Sequence, residues 1–457
     1  MIFFTLEFAI IFLLFFCVYW GLQKVHKAFQ NTLLLLFNYI ILLWINPYFA
    51  FVVGIYTIFI YLFSCLIYAY ETKIMLVFSL SLVVLNLAFF KYFSSIKDSF
   101  DTIFSLVGLD VVDINVLFPL GLSFYTFASI TYLCSVSKTG KMASFFSLAT
   151  FLSFFPTFVS GPIMRSDFFF SQLHKDRYFV KTGLIFTLIL FGLFKKVLCA
   201  TYLQNYSDSI LQNPADYDTL SLLLGIYAYA VRLYCDFSGY VDLVSAFALM
   251  LGFTLPQNFN MPYAARNIKD FWMRWHISLS LFIRDYIYIP LGGNRRGFLL
   301  AQLFVLISFS LSGMWHGNTF NFLIWGLLHG FGTIVFNCIR ACKLSIPIPY
   351  VSEFITFHFV TFAWIFFYYS SLDDAIFYLE SFIANSTKPV QYDEILYIVL
   401  CSITFILYPL CINLQTKCAL IFHRIPFILK PLVLSFFIIL IIGFAPSGIP
   451  NFIYAGF

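Results

Sequence analysis

The sequence predicts an all-α polytopic membrane protein, on three observations. Of its 457 residues, 61% are hydrophobic, 22% aromatic and only 10% charged, and a mean hydropathy of +0.92 excludes an ordinary soluble domain. Apolar stretches of the roughly 20 residues that a helix needs to cross a bilayer recur along the whole chain. They are continuously apolar rather than alternating, which argues against a transmembrane β-barrel. A single domain, 1–457, is expected, with no extended soluble part and no long linker.

Taken in order, about twelve spans are expected, at 2–20, 32–46, 48–70, 74–93, 116–135, 182–203, 219–250, 299–316, 319–340, 353–370, 395–412 and 431–446. The first lacks a basic leading region and a small-residue cleavage site, so it reads as a span rather than a removable signal peptide. Asn46-Pro47 makes a tight turn between the second and third. Basic connections (Lys24 and Lys27, Lys138 and Lys141, 175–181, 269–296, Arg340 and Lys343, 417–430) alternate with acidic ones at 98–113, 208–218 and 373–394. The positive-inside rule places the basic set in the cytoplasm and both termini on the other side. Within 143–165, Phe155-Pro156 and Gly161-Pro162 interrupt any helix and predict a broken or re-entrant element. The ten cysteines are scattered, with no CxxC pair or zinc spacing; they read as small buried apolar residues. No metal and no nucleic-acid partner are expected.

A polar, aromatic-rich island interrupts this pattern from Phe259 to Gly297. It alternates Trp272, Trp275, Phe282, Tyr286 and Tyr288 with Lys269, Arg274 and Arg284, which suits helices lying at the membrane interface. Its Gly292-Gly293-Asn294-Arg295-Arg296 turn has the makings of a phosphate cradle and equally of a basic topology anchor.

Ionisable groups at membrane depth are costly and mark candidate sites. His316 closes an almost uncharged span, between Trp315 and Gly317. It reads either as a general base, for which neutral imidazole is suited, or as a structural imidazole. His276 follows Arg274-Trp275 in the island and reads either as a site residue or as part of an interfacial belt. His329 reads as structural or supporting. In Tyr234-Cys235-Asp236-Phe237-Ser238-Gly239-Tyr240-Val241-Asp242 two carboxylates sit in an apolar segment, and the four-residue spacing from Arg232 predicts an Arg232–Asp236 pair on one helix face.

Several of these elements, in this order, resemble the membrane-bound O-acyltransferases, in particular the bacterial branch that acts on polysaccharides. The matching stretches are Phe118-Pro119-Leu120-Gly121-Leu122-Ser123-Phe124-Tyr125-Thr126-Phe127, Phe154-Phe155-Pro156 through Gly161-Pro162-Ile163-Met164-Arg165, and Tyr234 to Tyr240. Arg274-Trp275-His276-Ile277-Ser278-Leu279-Ser280 with Arg284-Asp285-Tyr286, and Trp315-His316-Gly317, complete the set. Ile289-Pro290-Leu291-Gly292-Gly293-Asn294-Arg295 is similar to the alginate and peptidoglycan members rather than to those that D-alanylate teichoic acid. The connection at Ser135-Val136-Ser137-Lys138 departs from the family pattern.

The resemblance implies a helical ring around a central tunnel in a bacterial inner membrane. It implies acetyl-CoA as the cytoplasmic acyl donor, His316 as the catalytic base and His276 as a second polar residue facing it. Arg274, Trp275, Arg284, Asp285 and Trp315 are the candidates for donor binding. Tyr454, in a terminal Phe-Ile-Tyr element, is implied as an acyl relay on the outer side, although an interfacial anchor has the same appearance. The expected function is acetyl transfer across the membrane for O-acetylation of peptidoglycan, with alginate or another exopolysaccharide as the alternative acceptor. Membrane lipid and a separate extracytoplasmic SGNH-type transferase are the expected partners. A transporter without a covalent step is the competing class; it would show inverted repeats with paired broken helices, and no such repeat is found. A membrane scaffold with structural histidines is a third.

Overall fold

The computed structural model describes residues 3, 5–21, 27–106, 117–344, 350–390 and 392–446. All regular structure among them is helical. Packing divides the chain into two compact units, one built from Met1–Val180 and Phe247–Pro256, the other from Lys181–Ala246 and Gln257–Gly456.

The first unit opens with α1 (Leu6–Gly21), α2 (Lys27–Ile45), α3 (Pro47–Tyr70), α4 (Lys73–Leu106) and α5 (Leu122–Thr139). Asn46 begins α3 as expected: its side chain accepts a hydrogen bond from the Tyr48 amide, with Pro47 in the first turn, where a missing N–H costs nothing. The interrupted stretch follows as three short helices, α6 (Phe145–Leu152), α7 (Phe155–Phe158) and α8 (Ser166–Leu173). Asn38 of α2 compensates one of these breaks. Its Oδ1 accepts from the Phe155 amide at 3.3 Å, and its Nδ2 donates to Ser153 Oγ at 3.4 Å. The core is aromatic, with Phe15 stacked on Phe37 at 3.8 Å between ring centroids and Phe155 edge-on to Phe37 at 5.6 Å.

The second unit continues with α9 (Thr182–Leu193), a π-helical turn (Phe194–Cys199), α10 (Ala200–Leu211) and α11 (Thr219–Met250), whose last residues, from Phe247, belong to the first unit. The island folds into α12 (Ile268–Trp272), α13 (Ile277–Ile283), a second π turn (Arg284–Tyr288) and α14 (Ile289–Leu291). Beyond it run α15 (Phe298–His316), α16 (Phe320–Ala341), α17 (Val351–Tyr368), α18 (Leu372–Ala384), α19 (Tyr392–Leu407), α20 (Leu414–Arg424) and α21 (Lys430–Gly443).

Among the described residues helices run through each segment expected to cross, but fewer than the expected twelve qualify as spans. Eight helices among the described residues are long and apolar enough to do so, or up to nine if the bent pair Ile395–Cys411 and Leu414–Arg424 is one span. The first and last, Leu6–Gly21 and Lys430–Gly443, are apolar but shorter. Leu13, Leu14, Phe51, Leu299 and Ile439 stand exposed on the outer faces, as residues that meet lipid do.

Two sequence expectations are corrected. Only Cys235 of the ten cysteines is buried, and Cys17, Cys338, Cys342, Cys401 and Cys411 are exposed. Lipid accepts an apolar side chain as readily as a protein core does, so a thiol here has no need of burial. Arg232 and Asp236 do not pair with each other. Arg232 Nη1 donates to Asp208 Oδ1 of α10 at 2.7 Å, and Asp236 is paired with Lys196 of the first π turn. Lys195, its neighbour, reaches Asp242 at 2.5 Å and Ser238 Oγ at 3.1 Å. Asp242 also accepts from Gln415 Nε2 of α20 at 3.1 and 3.2 Å. The pairs form because the two backbones nearly touch: a Cβ on Gly239 would lie 3.0 Å from both the Gly192 carbonyl and the Lys196 amide nitrogen.

Removing one member of a buried pair strands the other charge, at a cost of about 3–5 kcal/mol. Asp236→Asn is therefore expected to lower the melting temperature of the detergent-solubilised protein steeply. The double variant Asp236→Leu/Lys196→Met should recover most of the loss. Scanning fluorimetry of both measures this, and equal losses would show that the charge pair is not what stabilises the contact.

Candidate active site

Two Gly-x-x-x-Gly stretches build the centre of the second unit. Gly313 to Gly317 ends α15 and Gly326 to Gly330 lies within α16, and in each a histidine, His316 or His329, directly precedes the second glycine. This spacing lets helix backbones approach closely in a membrane. A Cβ on Gly313 would lie 2.2 Å from the Phe322 carbonyl oxygen, and one on Gly326 would lie 2.4 Å from that of Phe309. No side chain fits at either position.

The close approach brings His316 onto the face of α16. Its ring meets Trp325 edge-on at 5.0 Å and Phe367 of α17 at 5.1 Å, with Phe322 at 6.4 Å and Trp315 at 4.6 Å. Only 2% of His316 is exposed. Trp325 is shared: on its other contacts it meets His329 at 4.8 Å, Trp364 of α17 at 5.7 Å and Trp272 of α12 at 5.8 Å. Trp325 and His329 are four residues apart and so share a helix face. Asn321 fixes the start of α16, its Nδ2 donating to the Tyr369 and Ser371 carbonyls at 2.8 Å each.

His276 is held separately. It sits at the N-terminus of α13 with φ 41° and ψ 52°, a left-handed conformation uncommon for a side-chain-bearing residue. A clasp imposes it: the Ile277 amide donates to the Asn258 carbonyl at 3.0 Å, the Ser278 amide to Asn258 Oδ1 at 3.1 Å, and the Asn260 amide to the Arg274 carbonyl at 2.9 Å. The His276 ring packs edge-on to Phe237 of α11 at 4.8 Å, and neither ring nitrogen has a hydrogen-bond partner among the described residues. Burial pulls its pKa down to about 3, outweighing a smaller upward pull from its own backbone, so the ring is neutral.

His276 and His316 make no hydrogen bond or ring contact with each other; aromatic rings connect them. Phe237 meets Phe259 at 5.0 Å, Phe259 meets Trp275 at 5.2 Å, Trp275 meets Trp364 at 5.2 Å, and Trp364 meets Trp325. Trp275, expected at a binding surface, is a buried link in this row, stacked on Phe271 at 5.7 Å. Arg274 is engaged by Asp270 at 2.7 Å and by the Asn260 carbonyl at 3.3 Å. Arg284 pairs with its neighbour Asp285 at 2.7 Å and stays 56% exposed. Arg295 and Arg296 are exposed. Tyr454 lies outside the described residues.

Sequence reasoning missed Trp272, Trp325, Trp364 and Phe367 as walls of the site, and Lys195 and Lys196 as partners of the α11 carboxylates. Signals for both were present: the paired Gly-x-x-x-Gly stretches, and two lysines inside an apolar run.

Fold and site together define a polytopic helical membrane protein with buried imidazoles set in an aromatic centre. The chain belongs to the membrane-bound O-acyltransferase family, whose model matches residues 14–373. It is 34% identical over 338 residues to a peptidoglycan O-acetyltransferase of Helicobacter pylori, covering 66% of this chain and 63% of that protein. It is 34% identical over 369 residues to a probable alginate O-acetylase of Pseudomonas aeruginosa, covering 78% and 70%. A teichoic acid D-alanyltransferase of Bacillus subtilis is 29% identical over 272 residues, 54% of this chain and 68% of that one. The chain thus spans somewhat less than two thirds of the Helicobacter relative's length.

The low pKa of His276 has a definite sign. The unfolded chain takes up this proton near pH 6.5 and the folded protein only near pH 3. Stability conferred by the neutral ring is complete above pH 6.5 and is lost as pH falls toward 3, by about 1.4 kcal/mol per unit. Melting temperatures between pH 7 and pH 5 should therefore fall more steeply for the wild type than for His276→Gln. Parallel curves would refute the assignment.

Proposed function

We propose that this protein is an acetyltransferase of a bacterial inner membrane. It takes the acetyl group of cytoplasmic acetyl-CoA and passes it outward for O-acetylation of an envelope polysaccharide. The observation that carries this reading is His316: a buried imidazole closing an apolar helix, held among rings that exclude water, in a chain of the acyltransferase family. His316 removes the proton of the incoming hydroxyl as its oxygen attacks the thioester carbonyl carbon. The carbon–sulfur bond breaks and the leaving thiolate takes that proton. Acetyl has then moved from sulfur to oxygen with no net change in protons.

Peptidoglycan is the acceptor on the first reading, supported by the Helicobacter relative. An exopolysaccharide is the second, supported by the broader alignment with the Pseudomonas protein. D-alanylation is disfavoured by the lower identity to the teichoic acid enzymes, 29% and 27%. The hydroxyl of Tyr454 is the proposed first acceptor on the outer side, and a separate SGNH-type protein completes the transfer to the sugar. The exposed Arg295 and Arg296, with Arg284, offer charge to the phosphates of the donor on the cytoplasmic side. Arg266 and Arg274, earlier in the island, are engaged by Glu353 and Asp270, which suits a donor whose phosphates stay with the exposed arginines.

The test is proteoliposome-reconstituted protein given labelled acetyl-CoA, read as CoA release and as acetylated tyrosine in the C-terminal peptide. His316→Ala should cut turnover by roughly 10²–10⁴-fold; full turnover would remove His316 from the chemistry. Tyr454→Phe should retain the fold and abolish delivery to the partner, and intact delivery would end the relay idea while leaving the enzyme reading in place.

A further inference from the structure

Around His329 the hydrogen-bond accounts do not balance. Trp272, Trp325 and Trp364 are buried, and none of their indole nitrogens has a partner among the described residues; nor has either ring nitrogen of His329. The four side chains touch: His329 lies 5.1 Å from Trp272, 4.8 Å from Trp325 and 6.2 Å from Trp364. An indole N–H can only donate, and a neutral imidazole brings one donor and one acceptor. Even if His329 accepted from one indole, two indoles and its own N–H would still lack acceptors. A buried donor without a partner costs about 1–3 kcal/mol, and protein interiors almost always satisfy such groups. Contacting rings that carry this many unpartnered donors suit an occupant that brings acceptors.

The surroundings narrow the occupant's chemistry. The rings in contact with His329 are Phe271, Trp272, Phe309, Trp325, Phe359 and Trp364, an apolar, uncharged set that offers a phosphate no counter-charge. A carbonyl oxygen is uncharged when it enters and gains charge only as it reacts. Of the three unpartnered indoles, only Trp325 also touches His316.

We infer that the Trp325 N–H is the donor that holds the acyl carbonyl oxygen during transfer, a role that rests on the acyltransferase reading above. As the acceptor oxygen bonds to the carbonyl carbon, His316 takes its proton and the carbonyl π electrons move onto oxygen, where the Trp325 N–H binds them. When those electrons return, the carbon–sulfur bond breaks and the thiolate recovers the proton from His316. A donor aimed at developing charge in a dry site acts mainly on the transition state.

Trp325→Phe keeps a ring in the row and deletes the donor. In reconstituted protein its kcat for CoA release should fall by roughly 10²–10³-fold, with KM for acetyl-CoA little changed and the melting temperature close to wild type. Should phenylalanine not support folding, 3-benzothienylalanine at position 325 keeps the bicyclic shape without the N–H, and the same loss is expected. Wild-type turnover in a folded variant would overturn the inference. So would a raised KM with kcat intact, which would mean a ground-state contact only. If the wild-type protein itself releases no CoA, the acyltransferase reading fails and this one falls with it; an active wild type with an equally active variant sinks only the present inference.

Discussion

The backbones of α15 and α16 meet at Gly313 and Gly326 with no space for a methyl group, and the arrangement around His316 depends on that approach. Lipid tails are as apolar as leucine, so helices in a bilayer gain little from hiding apolar surface and associate through close packing instead. Glycine supplies the closeness. The same spacing that places two glycines on one face puts a histidine beside the second of them on each helix, so the packing motif also delivers the imidazoles. Trp325 then fills the gap between them and transmits the position of one ring to the other.

Two kinds of buried polar group coexist in the second unit and are handled differently. The carboxylates of α11 are matched one to one with lysines, Asp236 with Lys196 and Asp242 with Lys195, as charges at membrane depth must be. The imidazoles and indoles near His316 are buried, and the indoles of Trp272, Trp325 and Trp364 and the ring of His329 lack partners among the described residues. The first arrangement fixes helices against one another. The second leaves hydrogen-bonding capacity in reserve, which an interior tolerates only where something else enters.

Much of the fold was legible because its signals are local. Continuous apolarity marked the helices, α11 coinciding with its expected limits. Asn46-Pro47 marked a turn, and the paired prolines marked the break between α6 and α8. His316 was legible because an ionisable residue in an apolar run stands out. What was not legible depends on contacts between segments distant in sequence. Arg232 and Asp236 have the spacing of a helical pair, but spacing within a helix says nothing of competitors on a neighbour, and Asp208 and Lys196 took both partners. Trp275 has the composition of an interfacial residue, yet Phe259, Phe271 and Trp364 enclose it. His276 and His316 are linked through rings from four separate stretches of chain, which no local pattern encodes.

The π-helical turn at Phe194–Cys199 has a consequence for how the second unit tolerates change. Such a turn amounts to one residue more than a regular helix would hold, so everything beyond it is rotated by about 100° relative to an uninterrupted helix. Beyond it lies α10, which carries Asp208 to Arg232, while Lys195 and Lys196 reach α11 from inside the turn. Deleting a single residue there would straighten the helix and aim Asp208 away from its partner. The segment is thus indifferent to many substitutions of apolar side chains but intolerant of a change in length, and its register, rather than any one side chain in it, is what the surrounding charges read.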